Sequence, residues 1–381
     1  MTSEATSGAG TVARLIDIGG AVPLLAQALY HGIADAMRPG DAPVLAIADP
    51  TAPFVSAGVH QDVAREIDLK ACLQSNTPII RRETGGGAVV LSAGAMMVHV
   101  VLPRAHDEAA TTAAGLYGRF GEPILRTWRS FGLPAEPGAW GGVLLDRYHV
   151  ARLHVGLIGH AMVISGSLVR HFDPDTIAQR ASLPSDHLRG QMRDAIRGYL
   201  TRSTNRLADR TSIKASLLGH MEDVLGWRLE EASLRDEEQA AIARRETQMA
   251  DSMHVFSGGQ RLARAELRAI GGLALVDLVR YGAAGMVRLR LLERAGVIED
   301  LQITGELTVL PTDGLERLAP RLIGLRRDAP DLATRIQAQI ALLGIELPGV
   351  TAAELATALR PVVRPAGVDP IMLLFGSAPQ Q

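Results

Sequence analysis

The chain has 381 residues, a formal net charge of −2, 47% hydrophobic residues and 21% charged residues, the composition of a globular protein of about two domains. The near-zero charge excludes global attraction to nucleic acid or to an anionic membrane. The single cysteine, Cys72, excludes an internal disulfide framework and a Cys-rich metal site.

The opening "MTSEATSGAG" has neither a basic n-region nor an apolar h-region, so no signal peptide is read there. A reducing, cytoplasmic setting is the expectation. The most apolar run, "AVVLSAGAMMVHVVL", is too short for a bilayer and contains His99.

Residues 1–11 are small and polar and read as a disordered tail. Val22 to Met37 repeats apolar residues at helical spacing. "APVLAIADP" reads as a strand closed by Pro50, and "PFVSAGVHQDV" as a strand and turn. "LKACLQSN" reads as a short helix with Cys72 on its buried side. "TPIIRRETGGGAVVLSAGAMMVHVVLP" reads as strand, glycine turn, then one or two strands ending at Pro103. A long helix is expected over Glu108 to Phe131. "YHVARLHVGLIGHAMVISGSLVRHFDPD" reads as a hairpin turning near "IGHA", with Asp173 and Asp175 capping a helix at Thr176. The pattern is mostly helical from there to Met253. "FSGGQ" (Phe256 to Gln260) reads as a domain boundary. Beyond it come three or four antiparallel strands and the amphipathic helices "GLERLAPRLIGL" and "DLATRIQAQIALLG". The expected organisation is a tail (1–11), a large α+β domain (12–255), a small α+β domain (256–363) and a loose tail (364–381).

The stretch Arg81 to Val90, "RRETGGGAVV", carries the chemistry. Three adjacent glycines cost backbone entropy, and a turn needs only one or two. Three imply that something packs against bare backbone, as when amide N–H groups cradle a phosphate or an acyl tail. Arginine supplies a permanent charge and a planar fork suited to phosphate or carboxylate. Adjacent strand residues point to opposite faces, so only one of Arg81 and Arg82 can serve the glycines. An anion site and a structural turn both remain open on these grounds. The stretch is not a P-loop, since no Gly-Lys-Ser/Thr follows.

"PIIRRETGGGAVV" resembles the signature of the biotin/lipoate protein ligase superfamily, in its lipoate–protein ligase branch: an Arg pair, two residues, then Gly-Gly-Gly-Ala-Val. "VSAGVHQDVAREIDLKACLQSNTPIIRR" is similar to the family's upstream block, and "GHAMVISGSLVRHFDPDTI" to its later Gly-Ser/Asn-Leu strand. "YGAAGMVRLRLLERAGVIEDLQITGEL" resembles its C-terminal accessory domain. The resemblance implies an α+β catalytic domain with a central mixed sheet and flanking helices, plus a small α+β C-terminal domain. It implies activation of a lipoyl, octanoyl or biotinyl acid with ATP and Mg2+ as an acyl-adenylate, such as lipoyl-AMP. The acyl group would pass to a lysine of a carrier domain of glycine-cleavage H or dehydrogenase E2 type. By position, Arg82, Thr84, Gly85, Gly86, Gly87 and Ala88 would wrap the acyl tail and the adenylate phosphate, with Gly166, Ser167 and Leu168 lining the same pocket. No redox cofactor, structural metal or nucleic-acid partner is implied, and a monomer is among the expectations.

The chain departs from the family at its catalytic lysine. Counting back from "IGHAMVISGSL" without gaps, that position falls on His149, and the family's Asn-Asp pair falls near Gly141 and Gly142. The family's acidic residue after the glycines falls on Ser92. Only two of the 39 basic residues are lysines, Lys70 and Lys214, and neither is near this block. Arg147, His149 and Arg152 are the candidates to supply the lost charge, although an arginine replaces a point charge imperfectly and a histidine is only partly charged at neutral pH. Cys72 is expected to pack rather than to act as a nucleophile. The histidines show no metal-ligand spacing. "RLRLLER" reads as a solvated strand face. Three functions follow: a ligase, a catalytically silent homologue that binds lipoyl groups or lipoylated protein, and an acyltransferase that needs no ATP.

Overall fold

The computed structural model describes residues 10–145, 148–169, 173–180, 185–203, 209–259, 273–282 and 285–360. Most of the expected N-terminal tail, the C-terminal tail and Arg147 lie outside the described residues.

The first half builds in order β1 (Thr11–Ala21), α1 (Pro23–Ala36), β2 (Val44–Pro50), β3 (Phe54–Ala57), α2 (Val63–Glu66), α3 (Leu69–Gln74), β4 (Ile79–Arg81), β5 (Val89–Leu91), β6 (Ala95–Pro103) and α4 (Ala113–Ser130). It continues with β7 (Glu136–Pro137), β8 (Gly142–Leu145), β9 (Tyr148–Arg152), β10 (His154–Ile158), β11 (Ala161–Val169), α5 (Pro174–Arg180), α6 (Asp186–Ser203), α7 (Arg210–Leu225), β12 (Trp227–Glu231), α8 (Asp236–Ala250) and α9 (Ser252–Val255). Helix starts follow local chemistry. Pro23 opens α1, where its missing N–H costs nothing. Thr112 accepts from the Gly115 amide at the head of α4. The helix therefore starts more than a turn after the expected Glu108, because Thr112 is the better cap.

A six-stranded mixed sheet runs β10-β11-β6-β2-β1-β12. Strand alternation divides its side chains cleanly. Leu45, Ile47, Val98, Val100 and Ile164 join α4 and α7 in one core. Val44, Ala46, Ala48, Met97, Val101 and Val163 face α1 and α8 in a second. A smaller sheet, β4-β3-β5, carries the Arg pair and the glycines between its strands. Strand β12, absent from the sequence expectations, pairs in parallel with β1 at Thr11–Leu15. Its segment "WRLEE" reads as polar because it is an edge strand, with Trp227 as its one buried side chain.

The second half holds β13 (Leu273–Gly282), β14 (Gly285–Arg294), β15 (Val297–Gly305), α10 (Gly314–Leu318), α11 (Leu332–Leu343) and α12 (Ala352–Leu359). The three strands form an antiparallel sheet with its own core, which includes Leu289, Leu291, Leu318, Ile336 and Leu355. Arg288 and Arg290 do not make the expected solvated face. Arg290 is buried, and both point to the Asp277 carboxylate of the neighbouring strand.

The two halves meet at the glycine stretch. Residues Gly305 to Thr308, which leave β15, lie across it. The Gly305 amide donates to the His60 carbonyl at 2.8 Å, the Gly86 amide to the Leu307 carbonyl at 2.8 Å, and the Tyr117 hydroxyl to Thr308 Oγ1 at 2.8 Å. The architecture is α+β: a mixed sheet with flanking helices and a further small sheet.

Candidate functional site

Arg81 and Arg82 diverge as their strand positions require. The Arg81 guanidinium donates to the carbonyls of Val255, Gly58, Val59 and Gln61 at 2.8–3.0 Å. It pins α9 and the turn after β3, and faces away from the glycines. The Arg82 guanidinium is buried and donates to the Ser56 carbonyl at 2.7 Å and to the Gly85 and Gly87 carbonyls at 2.8 Å. Burial pushes both down to about 10, so both stay charged at neutral pH. Arg82 therefore shapes the turn from inside, and its Nε has no partner among the described residues.

Something does pack on each bare glycine, and it is the protein itself. A Cβ on Gly85 would lie 2.3 Å from the Leu307 carbonyl oxygen. On Gly86, whose φ is +86°, it would lie 2.2 Å from Nδ1 of His154. On Gly87 it would lie 2.8 Å from Oε1 of Glu306. The amide that an anion would seek, that of Gly86, is held by Leu307.

Behind the turn lies a cavity of about 50 Å3, lined by Gln27, Ser56, Arg82, Arg152, His154 and Ser165, among others. Gly166 and Ser167 also line it. Thr84 is fully buried and reaches the Tyr30 hydroxyl at 3.5 Å. Ala88 faces a separate recess of about 330 Å3, shared with Glu66, Arg288 and Glu306. Leu168 lies on the opposite sheet face, in the core with Met96 and Ile164. Of the nine binding positions carried over, Arg82, Gly166 and Ser167 line the cavity, and Leu168 and Ala88 are turned elsewhere.

Of the three lysine substitutes, Arg152 lines the cavity. Arg147 is outside the described residues. For His149 only the backbone is described, paired with Leu144 across β8 and β9. The half-buried Arg152 forms no hydrogen bond or ion pair with the described residues, and no carboxylate lines the cavity with it. The cavity thus concentrates positive charge with no carboxylate among its described lining residues. Gly141, near the family's Asn-Asp position, has φ +75°, and a Cβ there would meet the Tyr117 ring at 2.4 Å. Tyr117 occupies the room that a polar side chain would need. Lys214 is bound to Asp17 at 2.6 Å on the far side of the sheet, and Lys70 is an exposed residue of α3. Cys72 is buried, and burial raises its thiol above the ordinary range.

His154 was not among the expected site residues. Its signal was only a histidine at the head of an apolar strand. Burial, then Arg82 and Arg152, hold its pKa well below the ordinary value. Beside it runs a buried polar chain. Ser56 Oγ donates to Gln27 Oε1 at 2.7 Å, and Gln27 Nε2 to the Tyr30 hydroxyl at 2.9 Å. His31 accepts the Glu83 amide on Nε2 at 3.0 Å and must donate from Nδ1 to the Gln27 carbonyl at 2.9 Å. That pattern fixes a neutral ring. No group of three or more His, Cys, Asp or Glu is placed to hold a metal among the described residues. Nor is any described helix long and apolar enough to cross a membrane.

Residues 23–201 match the lipoyl protein ligase A/B catalytic domain. That match, over just under half of the chain, places residues 23–201 in the lipoyl protein ligase A/B catalytic-domain family. An octanoyltransferase LipM of Exiguobacterium is 35% identical over 82 residues, 22% of this chain and 29% of the relative. The chain thus spans under a third of that relative's length. Among solved structures, the bipartite lipoate protein ligase of Thermoplasma acidophilum, described with its E2 lipoyl domain, has a TM-score of 0.58 at 19% identity. It covers 67% of this chain and 98% of that one. A lipoate–protein ligase A bound with ATP has a TM-score of 0.55 at 17% identity, covering 65% and 99%. At these identities the structures establish the fold.

Proposed function

We propose that this chain transfers a lipoyl or octanoyl group to a lysine of a carrier domain of glycine-cleavage H or E2 type. Arg152 and Arg82 stand in for the family's lysine. One observation carries the reading: Arg152, without an ion pair among the described residues, lies beside Arg82 in a cavity that no described carboxylate lines. Such a site favours an anion that arrives with the substrate, either an acyl carboxylate or the phosphate of an acyl-adenylate. ATP with Mg2+ and lipoate, or preformed lipoyl-AMP, are the substrates on this reading. Residues 12–255 act as the acyl-transfer unit and 256–363 as the accessory unit, in a cytoplasmic setting.

A second reading has its own support. The cavity, at about 50 Å3, is far below the roughly 150 Å3 that holds benzene in a protein core, and Leu307 holds the Gly86 amide. Both fit a silent homologue that binds a lipoylated partner without turnover. The test is the intact mass of a lipoyl-acceptor domain after incubation with the full chain. One tube holds ATP-Mg and lipoate, a second lipoyl-AMP, and a third an octanoylated carrier without nucleotide. A mass gain in the first supports the ligase, in the second alone transfer without activation, and in the third the ATP-independent route. No gain in any tube refutes acyl transfer and leaves the binding reading.

A further inference from the structure

His154 opens β10 with its ring against the Cα of Gly86, so close that no side chain fits between them. Its Nδ1 faces Nη2 of Arg82 at 3.5 Å. A guanidinium has donors only, so Nδ1 presents its lone pair and the ring proton sits on Nε2. The charged groups facing the ring are Arg82, at the end of β4, and Arg152, at the end of β9. Both oppose a second proton. Nε2 has no hydrogen bond to the described residues, and the ring lines the cavity together with Arg152, Ser165 and Gly166.

We propose that Nε2–H of His154 is a further catalytic group, a neutral donor aimed at the acyl carbonyl oxygen. The role rests on reading the cavity as an acyl-transfer site. The neutral amine of the acceptor lysine attacks the acyl carbon of the acyl-adenylate, and a C–N bond forms. The carbonyl π pair moves onto oxygen, which accepts the hydrogen bond from Nε2–H while Arg152 offsets its charge. On collapse the C=O bond re-forms and the bond from the acyl carbon to the phosphate oxygen breaks. The nucleotide leaves with that electron pair, and one amine proton passes to solvent. Histidine gives up no proton at any point. A general-base role is disfavoured by the same geometry, because the free lone pair faces a permanent cation. A preorganised donor at a developing oxyanion is worth about 10²- to 10³-fold in kcat.

Two measurements test this. In the full chain labelled with 15N-histidine, long-range 1H–15N spectra from pH 5 to 8 report the His154 tautomer, assigned by the signals lost in His154→Gln. A neutral Nε2–H pattern throughout is expected. A Nδ1–H pattern, or titration near the ordinary 6.5, overturns the proposal whatever the activity. Transfer from preformed octanoyl-adenylate is then compared among variants. His154→Gln keeps an amide donor and is expected within about 10-fold of wild type, whereas His154→Leu loses about 10²-fold or more in kcat at unchanged KM. An unchanged kcat in His154→Leu removes this role and leaves acyl transfer standing. No transfer by the wild type removes the acyl-transfer reading and the role with it.

Discussion

Gly86→Ala isolates the contact on which the site is built. Two costs add. A residue with a Cβ held at the left-handed φ of +86° loses about 1–2 kcal/mol. The new methyl would also sit 2.2 Å from Nδ1 and 2.6 Å from Cε1 of His154, and forcing a methyl into a filled site costs about 1–3 kcal/mol. The expected loss is about 2–5 kcal/mol in unfolding free energy, read by urea denaturation. Gly118→Ala is the control. That residue lies within α4 with nothing inside 4 Å of its Cβ position, and alanine there should add up to about 1 kcal/mol. The double variant Gly86→Ala with His154→Ala separates the costs. Removing the ring relieves the overpacking and leaves the backbone term, so the two changes should couple by about 1–3 kcal/mol. A Gly86→Ala protein within about 0.5 kcal/mol of wild type would show that the ring does not rest on this glycine.

Arg152→Ala should leave stability within about 0.5 kcal/mol, because the side chain has no hydrogen-bond or ion-pair partner among the described residues. It should weaken binding of lipoate or its adenylate by about 10- to 100-fold, the value of one charged hydrogen bond, as measured by calorimetry. Glu66 supplies a pH dependence. Burial lifts its carboxyl to about 7 from an ordinary 4.5, with Glu306 adding to the rise against hydrogen bonds from Gln61 and the Asp62 amide. The other groups lining its recess are Arg65, Arg180, Tyr281 and Arg288. The folded state therefore holds a proton that the unfolded chain releases between about 4.5 and 7, and stability falls as pH rises through that window. Glu66→Gln should flatten the fall, as seen in thermal midpoints across pH 4–8.

The strand pair around the glycines was legible because alternation forces Arg81 and Arg82 apart, and the glycine triplet announced a close approach. What approaches was not legible. Glu306 and Leu307 lie some 220 residues further on in the chain and use a carbonyl, a group that every residue carries. His154 was hidden for a similar reason: its meaning comes from Gly86 and Arg82, not from its neighbours in sequence. The arginines of "RLRLLER" read as solvated until Asp277 of the adjacent strand was placed opposite them. Strand β12 was missed because an edge strand buries one face at most, and "WRLEE" spends a single tryptophan on it. Arg152 stood out in advance only as one of three cations near a missing lysine, and the cavity singles it out.

The hydrogen bond from the Gly86 amide to the Leu307 carbonyl has a thermodynamic corollary. One donor serves two claimants, so an acyl ligand that takes this amide competes with the docked C-terminal segment. Linkage makes the competition reciprocal. Whatever factor the ligand removes from the docking equilibrium, docking removes from the ligand's affinity. Substitutions in β15, or in the segment after it that crosses the glycine turn, would then tune binding without touching a ligand atom.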